Sequence, residues 1–178
     1  MDKKPIITQI LAELSIQAQS IDQHELIDLT DQIKQANHLF LSGAGRSGIM
    51  ISAFANRLMH LGLNVSLVNE ITKPKANQGD LLIIASGSGE TGSLISHAQK
   101  AKQLGLNIAL ITMNKNSTLA TLADKKVILP SGINQFAQPM GSTFEQLSLL
   151  SYDSMVIMLA KSLNQSFDTM QYRHANIE

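Results

Sequence analysis

One unit is written twice in this chain, 43 residues apart, and it restricts the possible folds more than any other feature. Leu39-Phe40-Leu41 runs into Gly43-Ala44-Gly45-Arg46-Ser47-Gly48, a helical stretch from Ile49 to Leu61, then Gly62 and a second apolar run, Val65 to Val68. Leu81 to Ala85 likewise runs into Ser86-Gly87-Ser88-Gly89-Glu90-Thr91, a helical stretch to Leu104, then Gly105 and a run from Ile108 to Ile111. Leu61-Gly62-Leu63-Asn64 recurs as Leu104-Gly105-Leu106-Asn107. Short apolar runs without polar alternation are strands buried on both faces, and glycine after the last helical residue is a stop signal. Two copies are too few for a solenoid. They predict a parallel sheet with right-handed crossovers.

The remaining segments extend that pattern. Ile7, Leu11, Leu14 and Ala18 share one helical face, and Leu26, Leu29, Ile33 and Ala36 another, with Asp22 as N-cap between them. This helical pair, residues 1–37, packs on the main body or on a partner subunit. A short helix opened by Asn116 or Ser117 precedes a fifth strand, Lys126 to Leu129. A long helix then spans Thr143 to Leu163, with Phe144, Leu147, Leu150 and Met158 on one face and Leu149, Tyr152, Val156 and Leu159 on another. A helix apolar on several faces is buried in a core or between subunits. The polar tail, residues 164–178, is expected to be ordered only by contact. The whole reads as one α/β domain, 1–178, with a doubly wound core over 38–163. Ligands in such sheets bind at the carboxyl ends of the strands, where both glycine-rich segments sit.

Composition narrows the function. The 178 residues are 44% apolar and 16% charged, with 14 Lys and Arg against 14 Asp and Glu. A neutral chain lacks the basic footprint of a nucleic-acid binder and has little charge to resist self-association. Without cysteine there is no disulfide, thiolate metal site or cysteine nucleophile. The start, MDKKPIITQILAELSIQ, has no signal-peptide core, and no run approaches the ~18 apolar residues of a membrane span. The expectation is a cytoplasmic protein acting on a small molecule, with neither nucleic acid nor membrane as partner.

Ser86 to Thr91 carries three hydroxyls (Ser86, Ser88, Thr91) and two glycines between a buried strand and a helix N-terminus. Hydroxyls, free amides and the positive end of the helix together suit a phosphate monoester, with about −1.5 to −2 charges. Such a loop also admits a plain reading, in which Ser88 caps the helix and the glycines turn the chain. No P-loop lysine motif is present, so a small sugar phosphate fits better than a nucleoside triphosphate. Gly43 to Gly48 matches the dinucleotide fingerprint G-x-G-x-x-G, and Glu70 sits near the place of a ribose-binding acid. Against that rival, the chain leaves no room for a separate substrate domain, and the hydroxyl-rich loop would have no role. Gly45, Arg46 and Ser47 are then candidates to face the ligand of the second loop, with a solvated surface arginine as the alternative for Arg46.

Isomerising a sugar requires a base that moves a proton between adjacent carbons through a cis-enediol(ate). Glu145, in Met140-Gly141-Ser142-Thr143-Phe144-Glu145, is the first candidate. Ser142-x-x-Glu145 is also a capping box, so the spacing supports both readings. Glu90 lies near the hydroxyl-rich loop, where a carboxylate in the first helical turn also suits the helix dipole. His24, His38, His60, His97 and His174 are scattered without metal-ligand spacing, so no metal site is expected. His60 suits a helix C-terminus, and His97 is expected on an exposed helical face.

The stretches GAGRSG (43–48), AFANRLMHLGLNV (53–65), GDLLIIASGSGET (79–91), QPMGSTFEQ (138–146) and the closing HANIE (174–178) resemble those of the 6-phospho-3-hexuloisomerases, a family of sugar isomerase (SIS) domains. SGSGET is shared across the superfamily; GAGRSG, QPMGSTFEQ and the terminal HANIE are specific to this family, whose usual tail reads HANLE. The resemblance implies a flavodoxin-like three-layer αβα sandwich, a five-stranded parallel sheet with extra N-terminal helices, and a homotetramer with sites near subunit boundaries. It implies interconversion of D-arabino-hex-3-ulose 6-phosphate and fructose 6-phosphate, a step of formaldehyde fixation by the ribulose monophosphate route, without cofactor. Ser47, Ser86, Ser88 and Thr91, with Gly45, Gly89 and Glu90 beside them, would surround the phosphate. Glu145 would be the base, His174 a second acid or base reaching a neighbouring subunit, and Arg46 an anchor or enediolate stabiliser. A non-catalytic sugar-phosphate sensor on the same domain is the alternative.

Overall fold

The computed structural model describes residues 5–131 and 138–177. Residues 1–4 of the predicted helical pair and Glu178 of the HANIE stretch lie outside the described residues. Five strands form one sheet: β1 (Leu39–Gly43), β2 (Val65–Leu67), β3 (Leu81–Ala85), β4 (Asn107–Thr112) and β5 (Lys125–Ile128). Their order is β2-β1-β3-β4-β5, with every neighbouring pair parallel. The helices are α1 (Ile6–Ala18), α2 (Gln23–Gln35), α3 (Gly45–His60), α4 (Gly92–Gln103), α5 (Thr118–Leu122), α6 (Ser142–Ser162) and α7 (Phe167–Tyr172).

Alternation along the strands builds two cores. Leu39, Leu41, Leu81 and Ile83 pack beneath α2, α3 and α6, while Phe40, Leu82 and Ile84 pack beneath α4 and α5. This is the expected three-layer sandwich in the flavodoxin strand order, whose switch point lies between β1 and β3. Local chemistry sets several boundaries. Asp22 caps α2 by accepting from the His24 amide at 2.8 Å, and Ser117 caps α5 by accepting from Ala120 at 3.2 Å.

One expectation needs correction, and three others gain detail. Helix α3 begins at Gly45, not Ile49, so Arg46-Ser47-Gly48 is its first turn rather than a loop. The predicted α1 stripe is only partly covered: Leu14 is buried, but Ile7 and Leu11 are exposed, because within the protomer α1 leans mainly on α6. Leu150 is likewise half exposed on α6, which turns that side away from the sheet. The tail carries a helix, α7, started by Ser166 and anchored where Arg173 donates to the His60 carbonyl (3.0 Å) and to Gln165 (2.9 Å).

Histidine burial gives the fold a pH dependence. His97 is half-buried, not exposed, with Nδ1 2.9 Å from Ser42 Oγ on β1. Burial pushes His38, His60 and His97 below the ordinary histidine value, helped at His60 by Arg57 and His174, helped at His97 by Lys73 and opposed at His38 by Asp80. The unfolded chain therefore takes up protons at these sites before the folded chain does. Stability is fully present above the ordinary value of about 6.5 and is lost as pH falls through the lowered folded values. Thermal melts between about pH 8 and pH 5 should show Tm falling, with a shallower slope in His97→Asn. A Tm that holds or rises on acidification contradicts this.

Candidate active site

The pairing of β1 with β3 sets Gly43 beside Ala85, so the two glycine-rich segments leave adjacent strands side by side. Gly43 and Gly48 are explained by the crossing of α3 over its own strand: a Cβ on Gly43 would stand 2.9 Å from Gly48 Cα. The dinucleotide fingerprint here is thus at least a helix–strand packing device. Glu70, the ribose-acid candidate, is spent on its own turn, accepting from the Leu67 amide at 3.2 Å.

The segment 86–91 is tied to the chain after β4 through three of its carbonyls. The carbonyls of Gly87 and Gly89 accept from the amides of Met113 (3.2 Å) and Leu119 (3.1 Å), and that of Ser88 from Asn114 Nδ2 (3.2 Å). Ser86 Oγ accepts from the Gly89 amide at 3.1 Å and lies 3.4 Å from Thr91 Oγ1, so these hydroxyls converge. Gly89 has φ +68°, and a Cβ there would overlap Ser117, so no other residue fits. The plain capping reading fails. Ser88 Oγ accepts from the Glu90 amide instead, and Thr91, the N-cap of α4, makes no side-chain cap bond. The first amides of α4 are left available to a ligand.

A cleft of about 310 Å³ opens against this segment, lined by Ser47, Ser86, Ser88, Thr91, Gly141 and Phe144 among others. That volume lies at the lower end of small-molecule sites. Phe144 roofs segment 86–91, its ring 3.2 Å from where a Gly87 Cβ would stand.

Glu145 stands on α6 beside Gly141 and Phe144, both of which line the cleft. Its carboxylate is buried, with Oε2 accepting from Arg46 Nη1 at 2.6 Å. The same Nη1 donates to Ser142 Oγ at 3.0 Å, and that hydroxyl donates to the Pro139 carbonyl at 2.8 Å. The capping box is absent. Ser142 is the first helical residue after the N-cap Gly141, and its amide bonds to Pro139. A charge-assisted bond is worth about 1.5–3 kcal/mol against about 1 for a cap, so Arg46 wins the carboxylate. Oε1 lies on the Gly141 side, 3.9 Å from where a Gly141 Cβ would stand, and accepts no hydrogen bond among the described residues. One oxygen is fixed and the other lies beside Gly141, which lines the cleft.

Two candidates fall outside this cluster. Glu90 turns to α5, accepting from the Thr118 amide at 2.7 Å. Backbone and side-chain hydrogen bonds from Thr118 hold its carboxyl below the usual range. It serves the dipole of α5 rather than α4. His174 stacks on His60 (centroids 5.2 Å) at the far end of α3, about 24 Å along a 16-residue helix from Gly45. Tyr152, although on α6, is no acid or base, because burial pushes its phenol far above its ordinary value. Spacing gave no sign of the Ser142–Arg46 contact, of Phe144 as a wall, or of the segment after β4 that backs the loop. Among the described residues no three His, Cys, Asp or Glu side chains cluster as metal ligands. No described helix is long and apolar enough to cross a membrane.

Comparisons with known proteins identify the family. The SIS domain family model matches residues 32–158. The chain is 42% identical to a Bacillus subtilis protein named 3-hexulose-6-phosphate isomerase, covering 97% of each. It is 37% identical to a Mycobacterium gastri protein of the same name, covering 93% of this chain and 86% of that one. A solved Methanococcus jannaschii structure, from which a 3-hexulose-6-phosphate isomerase function was inferred, superposes with TM-score 0.83 at 33% identity, covering 97% of each chain.

Proposed function

The chain belongs to the SIS domain family, and we propose that it is a sugar-phosphate isomerase interconverting D-arabino-hex-3-ulose 6-phosphate and fructose 6-phosphate. The observation that carries this reading is a cleft against the donor-rich segment of β3–α4, walled by Gly141 and Phe144, with an arginine-held carboxylate beside that wall on α6. Ser86, Ser88, Thr91 and Ser47, with the first amides of α4, hold the phosphate dianion; Gly45 and Gly89 shape the backbone around it.

The chemistry is a proton transfer that balances within the substrate. From fructose 6-phosphate, Glu145 takes the C3 proton and the electrons pass to the C2 carbonyl oxygen, giving a cis-enediolate. Glu145 returns a proton at C2 as the C3 hydroxyl becomes the new carbonyl. The hydroxyl proton must move from O3 to O2, and His174 of a partner subunit is the group assigned to that transfer. Arg46 orients Glu145 and places positive charge beside the developing oxyanion.

A partner subunit is required because His174 lies at the other end of α3 from Glu145. Exposed apolar side chains on α1 (Ile6, Ile7, Leu11, Ile16) and α6 (Leu150, Ile157) supply surfaces for a homo-oligomer, assigned here as a tetramer working in the cytoplasm.

Incubation with fructose 6-phosphate in deuterium oxide tests the reaction. Deuterium should enter at C3, and the 3-ulose should accumulate to its equilibrium share. Binding without deuterium at C3 would leave a sugar-phosphate sensor and end the enzymatic reading.

A further inference from the structure

Glu13, on α1, makes three contacts that the chemistry above does not use. Its carboxylate accepts from Thr143 Oγ1 at 2.8 Å, from Gln138 Nε2 at 3.1 Å and from Gln17 Nε2 at 3.3 Å. Gln138 and Thr143 stand on either side of the turn Pro139-Met140-Gly141-Ser142, which leads into α6. That turn is under strain. Met140 has φ +53°, a left-handed conformation that a residue with a side chain adopts only when its surroundings impose it, and its own side chain is fully exposed and anchors nothing. The first turn of α6 also lacks a side-chain cap, since Gly141 occupies the N-cap position. Yet Ser142 and Glu145, both in that turn, must meet Arg46 at 3.0 and 2.6 Å.

We propose that Glu13 is a positioning residue: it clasps Gln138 to Thr143, holds the strained turn closed, and so fixes the start of α6 where Glu145 meets Arg46 and the cleft. Its negative charge at a helix N-terminus adds to the hold. The N-terminal helix, which buries few apolar side chains in this protomer, is thereby part of the catalytic apparatus. The inference rests on Glu145 being the base, but the clasp itself is observable without turnover.

The test compares Glu13→Ala, Glu13→Gln and Thr143→Val in the full chain. Glu13→Ala should lower kcat about 10-fold or more, as small misplacements of a base do, with KM and inhibition by inorganic phosphate within about twofold. Glu13→Gln should recover part of the rate, since its amide keeps one acceptor oxygen for the Thr143 hydroxyl. Thr143→Val added to Glu13→Ala should cost less than it does alone, the mark of a shared interaction. Hydrogen exchange of the peptide spanning 138–147 should quicken in Glu13→Ala. Wild-type kcat in Glu13→Ala, fully additive losses with Thr143→Val, or a loss shared equally by phosphate inhibition would overturn the proposal. If the wild-type chain isomerises nothing, the functional reading fails and the exchange data alone decide whether the clasp exists.

Discussion

Glu145→Gln should lower turnover by about 10²- to 10⁴-fold, the range for removal of a positioned general base, while KM and inhibition by inorganic phosphate stay within a few-fold. The split follows from the geometry. On the proposed assignment phosphate affinity resides in Ser47, segment 86–91 and the N-terminus of α4, none of which is hydrogen-bonded to the Glu145 carboxylate. The amide is the same size as the carboxylate and still offers Arg46 an oxygen, so the first turn of α6 should keep its place. Arg46 is half exposed, and water can compensate its lost counter-charge, so the stability cost should be about 1 kcal/mol or less. Steady-state assays with both hexulose phosphates, beside a thermal melt, measure these quantities. Turnover within about threefold of wild type would place the base elsewhere, whereas a parallel rise in KM and fall in Tm would make Glu145 a structural residue.

The sheet was legible because its strands are buried on both faces and punctuated by glycine, so the signal is local and repeated. Leu81–Ala85 was read to the residue, and the 43-residue offset gave the second unit from the first. The errors lie where a distant contact overrides a local pattern. Arg46-Ser47-Gly48 has the composition of a loop, but the close crossing of Gly48 over Gly43 lets the helix begin early. Ser142-x-x-Glu145 has the spacing of a capping box, but Arg46, 99 positions away in the chain, takes the carboxylate. No spacing rule reports such a pair: the spacing left base and cap both open for Glu145, and the family resemblance favoured the base. His97 has a helix-surface pattern, yet Ser42 on the neighbouring strand gives its ring a partner. Glu13 looks like one more charge on an amphipathic helix, and only the fold brings it to Gln138 and Thr143.

A mixture of two inactive variants should regain activity. His174→Ala alone should lose about 10²-fold or more in turnover, as expected when a proton carrier is removed, and Glu145→Gln should be nearly inactive for the reason given above. In one protomer His174 sits beside His60 at the end of α3 remote from Arg46, held there by Arg173 on the His60 carbonyl. It cannot serve the Glu145 of its own chain without leaving that anchorage. If each site takes Glu145 from one subunit and His174 from another, unfolding and refolding an equal mixture assembles some sites from two undamaged halves. Random assortment gives a one-half chance for each residue, so about a quarter of wild-type turnover should return. If both residues came from one chain, no chain in the mixture would hold an intact pair and the mixture would stay inactive. Full activity of His174→Ala by itself would remove the histidine from the mechanism and leave O3-to-O2 proton transfer to Glu145 or solvent. The mixing experiment therefore bears on oligomerisation and on the second proton carrier together, since neither half of the proposal predicts recovery without the other.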